Sequence, residues 1–455
     1  MSQPSRLVFD VSSLARWAGP PGGIVRVEQE LLRAWGTSVV PAVFEPDRGC
    51  YRRIAPEWLD PLVRDRAALV LSDGPALRPR GWRRVVPRPG HVVMALERTR
   101  LTTRSALVAT ASDRLVRAAA RLRRHSMQIT TDDGSRFAYV PATLALEEAP
   151  LALGPSDTLL AVGYDWLRKS PAQVRALKQS TGVRYVVTCY DMIPVLFPDF
   201  YAPAEVDGFA RFWRDILPVA DRVLAISECT RRDLDTWVRA QKLTSPPVSL
   251  VPLASAVGAA DAQVDAVLPA GLTPGRYVLM VATIEPRKGH RLLLDVWRAL
   301  MARGVPQALG FTLVLVGRRG WKTDDLQRDL ASLEGPHLRH LDAVRDPLLE
   351  RLYRDCAFTV LPSAYEGFGL PVIESFSHGR AAIASTGGAL PEVAGTLAPC
   401  LPPDDHHAWE ARLEAWMTGS DERTAFEARI RTSFHRPTWQ DVADAFRRAA
   451  LEVTP

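Results

Sequence analysis

The sequence contains no asparagine, and only five of its 57 basic residues are lysine: Lys169, Lys178, Lys242, Lys288 and Lys322. A coding bias toward GC-rich codons accounts for both shortages as well as selection for guanidinium chemistry does. Cysteine is scarce too. Its five copies (Cys50, Cys189, Cys229, Cys356, Cys400) are odd in number and scattered, with no CxxC pair. That argues against a disulfide framework or a thiolate zinc site, and for a reducing compartment. No apolar run approaches the roughly 18 residues of a membrane span. The opening Met1-Ser2-Gln3-Pro4-Ser5-Arg6 lacks a signal peptide's apolar core, so a cytoplasmic protein is expected. Internal repeats and low-complexity tracts are also missing. What is present is ordinary globular composition: 455 residues, 47% hydrophobic and 24% charged, enough for two or three domains at roughly 150 residues each. A net charge of +6 permits an anionic partner without naming one.

Short β-branched runs alternate with helical patterns, the mark of parallel sheets with crossover helices. Leu7-Val8-Phe9-Asp10, Tyr185 to Thr188, Arg222 to Ile226, Tyr277 to Val281, Phe311 to Val316 and Phe358 to Leu361 are apolar enough to be covered on both faces. Between Pro252 and Arg276 the chain turns rich in Ala, Pro and Gly. This seam predicts two α/β domains, 1–255 and 256–455, with the final helix after Pro437 packing back on the first. His290 to Ala302 places Leu293, Val296, Trp297 and Leu300 at helical spacing. Ser112 to His125 repeats Arg114, Arg117, Arg121 and Arg124 at three- and four-residue spacing. It reads either as a solvated surface helix or, with Trp82, Arg83 and Arg84, as a contact for an anionic membrane surface.

Chemistry concentrates at strand exits. Glu366-Gly367-Phe368-Gly369-Leu370-Pro371-Val372-Ile373-Glu374 follows a buried strand and opens a helix with Pro at its start. Its glycines let backbone approach a ligand, and the helix N-terminus offers N–H groups to an anion such as a diphosphate. Carboxylates suit sugar recognition because each accepts from neighbouring hydroxyls. Glu366 and Glu374 can face one crevice at the carboxyl end of the sheet. Ala282-Thr283-Ile284-Glu285-Pro286-Arg287-Lys288-Gly289-His290 is a second exit. Its adjacent Arg287 and Lys288 can neutralise charge building on a departing diphosphate. Val316-Gly317-Arg318-Arg319-Gly320-Trp321 and Ser385-Thr386-Gly387-Gly388-Ala389-Leu390-Pro391-Glu392 are two more glycine-bearing exits.

As a set, these pieces resemble the donor domain of retaining glycosyltransferases of family 4, over about Tyr277 to Gly395. The Glu366-x7-Glu374 pair and Thr283 to Lys288 are similar to that family's signatures. Cys189-Tyr190-Asp191-Met192-Ile193-Pro194 resembles the Asp-x-Ile-Pro segment of bacterial mannosyl- and rhamnosyl-type surface-polysaccharide transferases. Gly22-Gly23-Ile24 resembles their N-terminal glycine loop. The resemblance implies an α/β GT-B fold, two facing Rossmann-like domains with a central cleft. It implies that Glu366 holds the transferred sugar, Glu374 the nucleotide ribose, and Arg287 and Lys288 the diphosphate. Thr283, Gly317 and backbone amides near Gly22, Gly23, Phe368, Gly369 and Leu370 would assist, and Asp191 would lie near the reacting centre or acceptor. The donor would be a nucleotide-diphosphate sugar, with a leaning to GDP-mannose. The acceptor would be a glycan, lipid-linked at the inner face of the plasma membrane. Anomeric retention would follow by front-face displacement. Ala282 departs from the family's usual Gly, and Tyr190 stands where relatives often carry His.

Other readings stay open. Asp191 can instead cap a turn. Ser227 is expected as a helix N-cap that leaves amides for a ligand, and Trp321 is expected in the core. Asp233-Leu234-Asp235, Asp132-Asp133 and Asp404-Asp405 do not read as metal ligands, and the nine histidines show no HExxH spacing, so no metal cofactor is expected. A transferase acting on a free sugar, or a nucleotide-sugar epimerase or hydrolase on the same architecture, is the alternative. No aromatic–basic interleaving suggests a nucleic-acid partner.

Overall fold

The computed structural model of the protein describes residues 6–17, 22–64, 68–70, 127–130, 136–255, 266–342, 344–419 and 421–452. Ser112 to His125, Trp82 to Arg84, the Asp132-Asp133 pair and 256–265 of the expected linker lie outside the described residues. In chain order the strands are β1 (Leu7–Asp10), β2 (Val40–Glu45), β3 (Cys50–Arg53), β4 (Ala68–Val70), β5 (Met127–Thr130), β6 (Arg136–Pro141), β7 (Thr158–Ala161) and β8 (Arg184–Cys189). There follow β9 (Arg222–Ala225), β10 (Val248–Leu250), β11 (Tyr277–Val281), β12 (Thr312–Val316), β13 (Leu338–Leu341), β14 (Phe358–Leu361), β15 (Ala382–Ser385) and β16 (Cys400–Leu401).

They form two large sheets. The first runs β10-β9-β8-β7-β1-β2-β3, parallel except for the antiparallel β2–β3 edge. The second runs β13-β12-β11-β14-β15-β16 and is parallel throughout. A small sheet of β4, β6 and β5 is separate in its hydrogen bonding and packs Val140 into the first-lobe core. Apolar strands are explained by cover on both faces. In β1, Leu7 and Phe9 join one core and Val8 the other. In β11, Val278 and Met280 face one core while Tyr277 and Leu279 face another.

Each large sheet reverses its strand order once, between β1 and β7 and between β11 and β14. Splayed crossovers at such points leave a crevice outside the carboxyl ends of the strands. The lobes around the two sheets share packing. Phe368 and Ile373, from the second half of the chain, sit in the core of the first lobe, and so do Val442, Ala443 and Phe446 of the Trp439–Leu451 helix. Among the described residues no helix is long and apolar enough to cross a membrane.

Candidate active site

The strand-order reversal of the second sheet carries the main cluster. After β11 the chain reaches the 3-10 turn Pro286–Lys288, then Gly289, then the His290–Ala302 helix. After β14 it forms the loop that holds Glu366 and enters the Leu370–Ser377 helix. Arg287 Nη1 donates to Glu366 Oε2 at 2.8 Å and to the Tyr365 carbonyl at 2.7 Å. Lys288 Nζ donates to Glu366 Oε1 at 2.6 Å, and Ser363 Oγ donates to the same oxygen at 2.7 Å. Arg287 Nη2 donates to Glu285 at 2.7 Å. Burial alone pushes the Glu366 carboxyl up, but the charges of Arg287 and Lys288 outweigh it and bring it down to about 2. Glu366 is therefore a hydrogen-bond acceptor at neutral pH while these two cations are in place. Arg287 is opposed by burial, yet Glu366 and Glu285 raise it and keep it cationic. Its Nε is buried and has no partner among the described residues.

Close backbone contacts fix this cluster against the first lobe. A Cβ at Gly367 would stand 2.2 Å from the Tyr190 carbonyl oxygen and 2.9 Å from Asp191 Cβ, so only glycine allows the loop to seat there. Gly388 has φ +66°, and a Cβ on it would stand 2.2 Å from the Glu366 carbonyl oxygen. Asp191 follows β8, and its Oδ1 accepts from Ile193 N at 3.0 Å, which is the turn-capping geometry. It nonetheless lies in the same charge field. Burial raises its pKa and Arg287 pulls it back.

Glu374 is set apart from this cluster. It is buried in the Leu370–Ser377 helix, and its Oε2 accepts from Tyr353 Oη at 2.6 Å. Burial raises its pKa, while the Tyr353 bond and Arg26 oppose the rise. Arg26 comes from the first lobe, three residues beyond Gly23, and donates to Asp346 at 2.7 Å. Gly22 and Gly23 lead into the Ile24–Trp35 helix, with open space where a Cβ would lie on either. Thr283 is exposed at the β11 exit. Gly317 backs onto the Ala282 carbonyl, and Ala282 packs partly on the second-lobe core. Phe368 and Leu370 turn their side chains to the first-lobe core, so Gly369 begins the helix between two anchored neighbours.

Two expectations are corrected. Trp321 is not in the core: it is 41% exposed, donates Nε1–H to the Phe200 carbonyl at 2.8 Å, and tilts against Tyr201 at 5.8 Å. It lies beyond the strand end, where an indole bridges lobes instead of filling one. Ser227 is an N-cap, accepting from Thr230 N at 3.0 Å. The neighbouring amides are not left for a ligand, because Glu228 N and Cys229 N donate to Glu392 at 2.9 and 3.0 Å. Sequence reasoning missed Ser363, Glu285, Tyr353 and the Arg26–Asp346 pair. Ser363 lies three residues before Glu366, just after the Phe358–Leu361 strand, and that spacing was the available signal. Glu285 lies in the second strand exit, two residues before Arg287, whereas Tyr353 and the Arg26–Asp346 pair had no such signal. Among the described residues no group of three or more His, Cys, Asp or Glu is arranged to hold a metal ion.

Two Rossmann-like lobes joined across a cleft, with an Arg-Lys-Glu cluster at one strand-order reversal, define the GT-B class. The solved structure of trehalose-6-phosphate synthase OtsA has the same fold, with a TM-score of 0.60 at 14% identity over 99% of this chain and 100% of that one. Residues 275–419 match the family described as Glycosyl transferases group 1, so the second lobe is a glycosyltransferase domain of that type. O-antigen chain mannosyltransferase B of Escherichia coli is 27% identical over 264 residues, 57% of this chain and 68% of that protein. Serotype-specific mannosyltransferase WbdA of Escherichia coli is 28% identical over 276 residues, 57% of this chain but only 32% of WbdA. The chain thus spans about two thirds of the first relative's length and a third of the second's.

Proposed function

We propose that the protein transfers a sugar, with mannose as the leading candidate, from a nucleotide-diphosphate donor to a glycan acceptor, retaining anomeric configuration. The observation that carries this reading is the Arg287–Lys288–Glu366 cluster at the β11/β14 crevice. Two cations and a buried guanidinium N–H without a partner among the described residues suit a diphosphate. When the diphosphate draws Arg287 and Lys288 toward itself, Glu366 loses ion-pair partners and its oxygens become acceptors for sugar hydroxyls. The same two cations would neutralise charge on the leaving diphosphate, so the reading needs no metal ion. Glu374, next to Tyr353, would hold the ribose, and Asp191 would meet the acceptor or the reacting carbon.

The mannose preference and the O-antigen-type glycan acceptor come from the relatives' names and the Asp191-Met192-Ile193-Pro194 segment, and the lipid link from the family resemblance alone. Contact with an anionic membrane through residues 112–125 belongs to the same reading on charge pattern alone. Calorimetric titration with GDP, UDP, dTDP and ADP, with and without Mg²⁺, tests the donor site. One nucleotide should bind without metal and lose its affinity in Arg287→Ala/Lys288→Ala. Glu366→Gln should keep nucleotide affinity and lose most transfer, by about 100-fold or more if it acts on the transition state. A Glu366→Gln enzyme near wild-type rate would sink the assignment.

A further inference from the structure

We infer that Glu392 is a positioning residue that plugs the Glu366 loop of the second lobe into the first lobe, an inference that rests on the glycosyltransferase reading above. The Glu228–Ala240 helix of the first lobe begins at the exit of β9. The amides of Glu228 and Cys229 donate to Glu392 Oε1 at 2.9 Å and Oε2 at 3.0 Å. Glu392 belongs to the Leu390–Ala394 helix of the other lobe. A carboxylate set across two first-turn amides satisfies donors that a helix cannot use internally and meets the positive end of its dipole.

The same helix end grips both sides of Glu366. Ser227 Oγ donates to the Gly367 carbonyl at 2.7 Å, and Thr230 Oγ1 donates to that oxygen at 3.2 Å. Tyr365 Oη donates to Asp233 Oδ2 at 2.7 Å, farther along the helix. Beneath the loop, Ala389 N donates to the Glu366 carbonyl at 2.8 Å, which joins the loop to the turn just before Glu392. With these contacts made, Gly367 lies on Tyr190 and Asp191. The seated plug therefore helps hold the Glu366 loop against Asp191. The Glu392 carboxylate itself touches none of Arg287, Lys288 and Glu374, so unseating the plug should weaken turnover more than donor binding.

The test compares full-length wild type with Glu392→Ala, Glu392→Asp and Gly367→Ala by small-angle X-ray scattering, GDP calorimetry and steady-state kinetics. Gly367→Ala, which places a Cβ against the Tyr190 carbonyl, supplies the open reference. Glu392→Ala should enlarge the radius of gyration toward that reference. It should lower kcat by about 2- to 30-fold, the range expected for a carboxylate at a helix N-terminus, while GDP affinity falls by less. Glu392→Asp, which keeps the charge on a shorter stem, should recover part of both losses. Wild-type scattering and kcat in Glu392→Ala overturn the inference. A loss of GDP affinity that matches the loss in kcat overturns it too, since that marks a fault inside the second lobe. If the wild type transfers no sugar from any donor, the functional reading falls, and the scattering comparison still decides the role of Glu392.

Discussion

Arg287 and Lys288 each stand within hydrogen-bond distance of Glu366 and hold its pKa at about 2, against 4.5 for a free carboxyl, although burial works the other way. A carboxylate depressed in the folded state stabilises the fold above its unfolded pKa, and that contribution is lost as pH falls toward the folded value. Stability from this cluster should therefore be intact above about pH 4.5 and decline steadily below it. Thermal melts between neutral pH and about pH 3 should show a steeper acid loss in wild type than in Glu366→Gln; parallel curves would mean the ion pairs contribute nothing. This cluster was legible in the sequence because adjacent Arg and Lys at a strand exit, with glycines around a loop carboxylate, have few structural uses. Glu392 was not legible in the same way. A Glu in the first turn of its own short helix reads as a local partner for that helix's dipole, and nothing in the spacing says that it serves another helix in the other lobe. Trp321 misled for the opposite reason: residue type favours a core, and only the fold shows that it stands outside one.

Among elements, the strands and the His290–Ala302 helix were legible from periodicity, since Leu293, Val296, Trp297 and Leu300 are all buried as their spacing requires. The polar tie that joins elements in the first lobe had no such signal. Lys169 is buried and ion-pairs with both Asp10, at the end of β1, and Asp165, at 2.7 Å from the latter. Tyr51 of β3 donates to Asp10 Oδ2 at 2.7 Å, and Tyr185 of β8 donates to Asp165 Oδ2 at 2.7 Å. Asp165 and Lys169 are an i,i+4 pair, but Asp10, Tyr51 and Tyr185 are distant in sequence and normally read as unrelated, and only the strand order brings them to that pair. Removing the central cation leaves two buried carboxylates uncompensated. Lys169→Met should therefore lower unfolding free energy by about 3–5 kcal/mol, read from urea midpoints at constant m-value. A loss under about 1 kcal/mol would show that solvent reaches the site and satisfies the pair.

At the scale of the whole molecule, the chain does not stay within the lobe where it ends. Val442, Ala443, Phe446, Ala449 and Ala450 of the Trp439–Leu451 helix are buried in the first-lobe core. Trp35 Nε1 donates to the Ala443 carbonyl at 3.2 Å, and Arg447 Nη2 donates to Ser38 Oγ at 2.7 Å. This helix therefore completes a layer on the first sheet's face that the first 250 residues leave uncovered. Phe446→Ala should cost about 3–5 kcal/mol, as for other large aromatic truncations in a core. The cost should appear first in the lobe that Phe446 fills. Hydrogen exchange should accelerate in the Ile24–Trp35 helix and in β1 and β7, while β11, β12 and β14 keep their protection. The opposite pattern, with exchange rising first in β11 to β14, would mean that the terminal helix belongs energetically to the second lobe. Equal acceleration in both sheets would show that the lobes open as one cooperative unit, coupled through Phe368 and Ile373, which lie in the same core as Phe446.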